Sequence, residues 1–167
     1  MTFQEFDIAL KKHLTELSDG DQLALAIWIC KKLFYHYHAF YEKTAWGDPD
    51  VLLDAVASLD KPRRIGLRGS LVLEIIAEVE EITPGSNRFD DASVAINACS
   101  AVHYTLHFLL DGDVEHIYHV CTSLYDTIDE MIQNERVLSE EEIDNHPLMV
   151  ETRTQLLSGS FSSIASF

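Results

Sequence analysis

Cysteine is scarce in this chain, with three in 167 residues: Cys30, Cys99 and Cys121. They are odd in number, far apart and set in apolar stretches. That excludes a disulfide framework and a zinc or redox Cys-x-x-Cys motif, and predicts reduced, buried thiols. Positive charge is also in short supply, with 12 Lys and Arg against 28 Asp and Glu and a net charge of −16. Such a field repels nucleic acid and anionic membranes and speeds encounter with a basic protein surface. Long hydrophobic runs are missing: stretches such as Leu23–Cys30 are too short to span a bilayer. The N-terminus, MTFQEFDIALKK, mixes acidic residues with its first apolar ones and has no small-residue cleavage site. It reads as neither signal nor transit peptide, so a cytoplasmic location is expected. Ile, Val and Thr occur at helical rather than alternating spacing, so no strand is expected. There is no glycine-rich phosphate loop, no Gly-x-Ser-x-Gly and no internal repeat.

What is present is apolar periodicity of three and four. Hydrophobic residues make up 47% and aromatics 10% of the chain, which argues against disorder. Thr2 and Glu5 form a capping box ahead of a first helix to about Leu17, with the stripe Phe3, Phe6, Leu10, Leu14 and Leu17. Ser18 and Asp21 open a second helix ending near Ala45. Its stripe is Leu23, Ile27, Cys30, Phe34, Tyr37 and Tyr41, and Trp28, Ile29 and Tyr35 lie off it, so the helix is expected to be central. Gly47 is read as its left-handed stop, and Asp48 and Pro49 as the cap and first turn of a third helix to Leu59. A fourth helix, with the stripe Leu71, Ile75, Val79 and Ile82, ends before the loop Thr83–Arg88.

Asp90 or Asp91 is expected to cap a fifth helix to about Leu110, and Asp111–Asp113 turns the chain into a sixth that ends near Glu135. On the sixth, Val114, Ile117, Tyr118, Cys121, Leu124, Tyr125, Ile128 and Ile132 share one face. Glu115, His119, Ser123, Asp126 and Glu130 take the opposite one. Ser139 and Glu142 start a short helical turn, Pro147 begins a last helix to about Leu157, and a loosely packed tail is expected over 157–167. The fold predicted is all-α: a single-domain, up-and-down bundle of about six or seven helices over 1–167.

The segments LSDGDQLALAIWICKKL, YEKTAWGDPDVLLDAV and FDDASVAINACSAVHYTLHFLL, in that order, resemble the YjaG-like bacterial family of unknown function. The resemblance covers most of Leu17–Glu142. It departs from the family pattern in a shorter loop before Asp90 and in Asn97, where an Asp is expected. The resemblance implies an all-helical fold and no enzymatic activity to carry over. Some relatives are associated with bacterial toxin loci, which implies a role as an immunity protein.

Several clusters invite chemistry. His103 and His107 are four apart, His116 and His119 three apart, and a helical hairpin brings the two pairs together, a spacing that metals accept. These histidines sit opposite the apolar stripe, whereas metal sites in bundles face inward with carboxylates. We therefore read them as exposed or interfacial, with no cofactor. The run FYHYHAFY, with His36 and His38, has the aromatics of a base-stacking platform but too few cations around it. Lys61, Arg63, Arg64 and Arg68 are read as pairing within the chain. Glu80 and Glu81 are read as solvating or capping.

The acidic excess is uneven, −5 up to Thr83 and −11 from Pro84 onward. It points to a non-enzymatic protein-binding domain, with Glu115, His119, Asp126, Glu130, Glu140, Glu141 and Glu142 as partner-binding residues and a basic protein toxin as partner. The alternatives are a cytosolic housekeeping or interaction protein and a metal-dependent enzyme using His103, His107, His116 and His119.

Overall fold

The computed structural model describes residues 1–60, 68–87 and 89–158. Among them are eight helices and no strand: α1 (Phe3–Glu16), α2 (Asp19–Thr44), α3 (Pro49–Leu59), α4 (Gly69–Glu81), α5 (Ala92–Asp111), α6 (Val114–Glu135), α7 (Glu140–Asp144) and α8 (Pro147–Leu156). Most begin at the side chains expected to cap them. The Thr2 hydroxyl accepts from the Glu5 N–H at 3.2 Å while the Thr2 N–H donates to Glu5 Oε2 at 2.7 Å. Ser18, Asp48, Asp113 and Ser139 each accept from the first turn of the helix they open. Such caps satisfy N–H groups that have no partner inside the helix. Asp91 is the exception: it precedes α5 without capping it, and its carboxylate instead pairs with Lys43 on α2.

The core is a triangle of the three longest helices. α5 and α6 form an antiparallel hairpin through Gly112, which takes the left-handed conformation (φ 69°), and α2 packs against both. α1 and α8 lie on α6, α3 packs on α2 and α5, and α4 packs on α3 and α5. α2 is therefore central, as its wide apolar surface implies, but its buried line differs from the expected stripe. Leu33, Tyr37 and Phe40 are buried in its second half, Phe34 is half-buried, and Tyr35 and Tyr41 are exposed. The aromatic run is thus divided between core and surface. Leu71 and Phe3 are likewise exposed, and on α4 the core residues are Val72, Ile75, Ile76 and Val79. Among the described residues no helix is long and apolar enough to cross a membrane. Lys61, Arg63, Arg64, Arg88 and the tail from residue 159 lie outside the described residues, and Arg68 is the residue that precedes α4.

The turn between α2 and α3 differs from the sequence reading in an instructive way. Ala45, not Gly47, closes α2 in the left-handed conformation (φ 55°), its N–H donating to the Tyr41 carbonyl at 2.7 Å. Gly47 (φ 94°) is required for a second reason: a Cβ there would stand 2.2 Å from the Tyr37 hydroxyl oxygen. Tyr37 is fully buried. Its hydroxyl donates to the Ile82 carbonyl at 2.7 Å and accepts from the Asp48 N–H at 3.2 Å. The glycine lets the backbone pass close enough for these bonds to form.

Gly47→Ala should therefore lower the melting temperature, combining backbone strain of about 1–2 kcal/mol with the clash. Tyr37→Phe should cost about 1–3 kcal/mol, because it leaves the buried Ile82 carbonyl and the partly buried Asp48 N–H without their partner. The double variant should lose less than the sum of the two, since removing the hydroxyl removes the atom that the new methyl group meets. Strict additivity in thermal or denaturant unfolding would contradict this geometry.

Candidate functional site

Where the second half of α6 meets α7 and the start of α1, the surface opens into a cleft of about 650 Å³. Phe3 and Tyr125 form an aromatic wall, with ring centres 5.1 Å apart, and Asp129, Glu140 and Asp144 line the acidic side. The wall is held from beneath by Arg153 of α8, which is only 4% exposed. Its guanidinium donates to the Tyr125 hydroxyl at 3.0 Å, to Asp144 Oδ1 at 2.6 Å and to the Met1 carbonyl at 2.7 Å. It also lies over the rings of Phe6 and Tyr125. Burial works against the Arg153 charge, but the bonds to Asp144 and Tyr125 outweigh it and hold its pKa above the ordinary value. Burial, against the pull of Arg153, raises the Tyr125 hydroxyl, so that residue stays neutral. One buried cation therefore joins three walls of the cleft, and three carboxylates against one guanidinium leave it negative.

The residues expected to bind a partner are not all brought together. Glu140 lines the cleft. Asp126 is exposed one turn before Asp129, and partial desolvation by its neighbours, with the Asp129 charge, raises its pKa. Glu141 is exposed next to Glu140 in α7, while Glu142 turns back to accept from the Ser139 N–H at 2.8 Å as part of the α7 cap. Glu115 and His119 belong to the first turns of α6, about 21 and 15 Å from Asp129 along the axis at the helical rise. Glu130 points to α5, where its Oε1 accepts from the Ser93 hydroxyl at 2.5 Å. The face of α6 read as solvated is thus partly the seam with α5: Ser123 and Thr127 are buried there, and Thr127 Oγ1 accepts from Asn97 Nδ2 at 3.2 Å. Phe3, Tyr125, Asp129, Asp144 and Arg153 complete the site and were not singled out by sequence reasoning.

That same seam explains the histidines, which are half-buried between α5 and α6. Tyr104 stacks on His119 at 4.8 Å and on His116 at 6.2 Å. His107 lies 5.6 Å from the His116 ring and 4.5 Å from that of His103. Carboxylates flank the group: Asp111 is 2.8 Å from His116, Glu80 3.9 Å from His103 and Glu115 3.9 Å from His119. Among the described residues no three His, Cys, Asp or Glu side chains are grouped so as to hold a metal ion. A second cleft of about 400 Å³ beside His103 includes Glu80, Ser100 and Cys99. Burial pushes the Cys99 thiol up to about 12, so it is no nucleophile near neutral pH.

Burial, reinforced by the neighbouring His107 and His116, lowers the pKa of His103 below its ordinary 6.5, against the opposing pull of Glu80. The folded chain thus favours neutral His103, and its contribution to stability is full above pH 6.5 and declines as pH falls through the lowered folded value. Thermal unfolding between pH 7.5 and 5 should show a smaller acid-side loss in His103→Gln than in the wild type. An identical loss in both would mean that His103 is not disfavoured as a cation.

The fold has a counterpart in a crystal structure at 1.91 Å resolution of a DUF416 family protein from Shewanella baltica OS155. The two superpose with a TM-score of 0.76 over 87% of this chain and 80% of the other, at 22% sequence identity. No curated protein matches the chain. The family described as "Protein of unknown function (DUF416)" matches residues 9–158, nearly the whole described structure, and the chain therefore belongs to the DUF416 family.

Proposed function

We propose that this protein works by binding another protein rather than by catalysis, and that the acidic cleft between α1, α6 and α7 receives a basic segment of the partner. The cleft itself carries the proposal. It offers an aromatic wall of Phe3 and Tyr125 for the stem or face of an Arg or Lys side chain, beside the carboxylates Asp129, Glu140 and Asp144. Arg153 bonds Tyr125 and Asp144, so wall and carboxylate are fixed before a partner arrives, which reduces the ordering cost of binding. The net charge of −16 extends the attraction beyond contact.

The sharper form of this reading is an immunity protein that neutralises a basic toxin. It draws on the resemblance to relatives associated with toxin loci and on the acidic excess after Pro84. Glu140, Glu141 and Asp126 then belong to the docking surface with the cleft, and Glu115 and His119 to its far end.

A fluorescein-labelled peptide of alternating Arg and Ser tests the cleft directly by anisotropy. Binding should weaken steeply with salt, because exposed charges are screened over roughly 8–10 Å. Asp129→Lys combined with Glu140→Lys should weaken it at least tenfold, about 1.4 kcal/mol. The same reversal at the exposed Glu74 and Glu78 of α4 should change it no more than about twofold. Equal binding by the cleft variant, or binding indifferent to salt, would refute the reading. The immunity form adds that co-expression rescues cells from the product of the adjacent open reading frame, and that the cleft variant rescues less well.

A further inference from the structure

The histidine seam carries a second inference, at a different place in the fold and independent of the acidic cleft. His103 and His107 lie one turn apart on α5, with ring centres 4.5 Å apart and planes tilted by 59°. An imidazole nitrogen sits about 2.1 Å from a bound transition-metal ion, with the ring centre about 1.1 Å farther out. Two rings in neighbouring positions at about 90° on one ion therefore have centres about 4.5 Å apart, the separation that a tetragonal Cu²⁺ or Ni²⁺ site requires of two imidazoles. The His103–His107 pair has that separation.

We infer that His103 and His107 chelate a divalent transition-metal ion of the copper and nickel class, with water completing its coordination. The surroundings agree. Glu80, whose Oε1 is 3.9 Å from His103 Nδ1, is too far for a hydrogen bond but adds negative charge beside the ring, which favours a bound cation. The strongly negative chain raises the local concentration of cations. His116 is occupied by Asp111 at 2.8 Å, so the chelate consists of two protein donors rather than three. A catalytic zinc normally has three protein ligands. The site is accordingly one that binds an ion and braces α5, without a claim of turnover.

Copper alone, added to untagged protein, provides the test, because Cu²⁺ binds such donors more tightly than the other first-row divalent ions. Titration calorimetry should show one tight equivalent, and electron paramagnetic resonance should show coupling to two imidazole nitrogens. His103→Ala and His107→Ala should each weaken binding at least tenfold and reduce the coupling to one nitrogen, while circular dichroism confirms that both fold. His103→Gln, closer in size, provides the same comparison should the alanine variant unfold. A double His36→Ala and His38→Ala variant should bind as the wild type does. Absence of copper binding, or binding that survives loss of His103 or His107, would overturn the assignment.

Discussion

The hydroxyl of Tyr37 is a small group on which much of the packing depends. A phenol buried this completely needs partners for both its proton and its lone pairs, and the two it finds are backbone groups from different elements: the Ile82 carbonyl just after α4 and the Asp48 N–H just before α3. Both are of the kind that helix ends leave without an internal partner. One side chain from the middle of the core thus ties three helices. It also restricts the turn between α2 and α3, because the backbone must come so near that only a residue without Cβ is accommodated at Gly47. From α3 and α4 the constraint passes to α5, on which both pack, and so to the hairpin carrying the histidines.

Most of the helices were legible because their signals are local. The caps at Thr2, Ser18, Asp48, Asp113 and Ser139 depend only on the next three residues, and the apolar spacing repeats over several turns. What escaped depends on neighbours distant in sequence. A period of 3.6 places Leu71 and Val72 within one wide apolar face, but only the position of α3 and α5 decides that Val72 is buried and Leu71 exposed. Likewise Ala45 closes α2 although glycine is the usual choice, because Gly47 is already committed to the approach of Tyr37.

The candidate site was less legible than the fold, for a related reason. Counting charge located the acidic half of the chain, but not which carboxylates face one another. Glu130 and Glu142 look like free surface acids in sequence, and each is engaged within the fold, by Ser93 and Ser139 respectively. Asp129 and Asp144, which do line the cleft, are separated by a turn whose path sequence alone does not trace. Arg153 is the clearest case: one cation in a sparsely basic stretch, read as nothing in particular, proves to be the buried link between the start of the chain, α6 and α7. The histidines were correctly paired by spacing. Their side of α5 nonetheless faces α6, a seam along which Ser123 and Thr127 are buried as well.

The three cysteines have a practical consequence. Each is free of disulfide and buried, on α2, α5 and α6, the helices that form the central triangle. Burial raises the thiols of Cys30 and Cys99 to about 12 and that of Cys121 higher still, so the native chain presents almost no thiolate to an electrophile. Alkylation of Cys30 and Cys121 must then wait for the triangle to open, whereas Cys99 borders the cleft beside His103. The chain carries its own clock for that event, in which the rate of labelling at Cys30 and Cys121 reads the opening of α2 and α6 without any engineered probe.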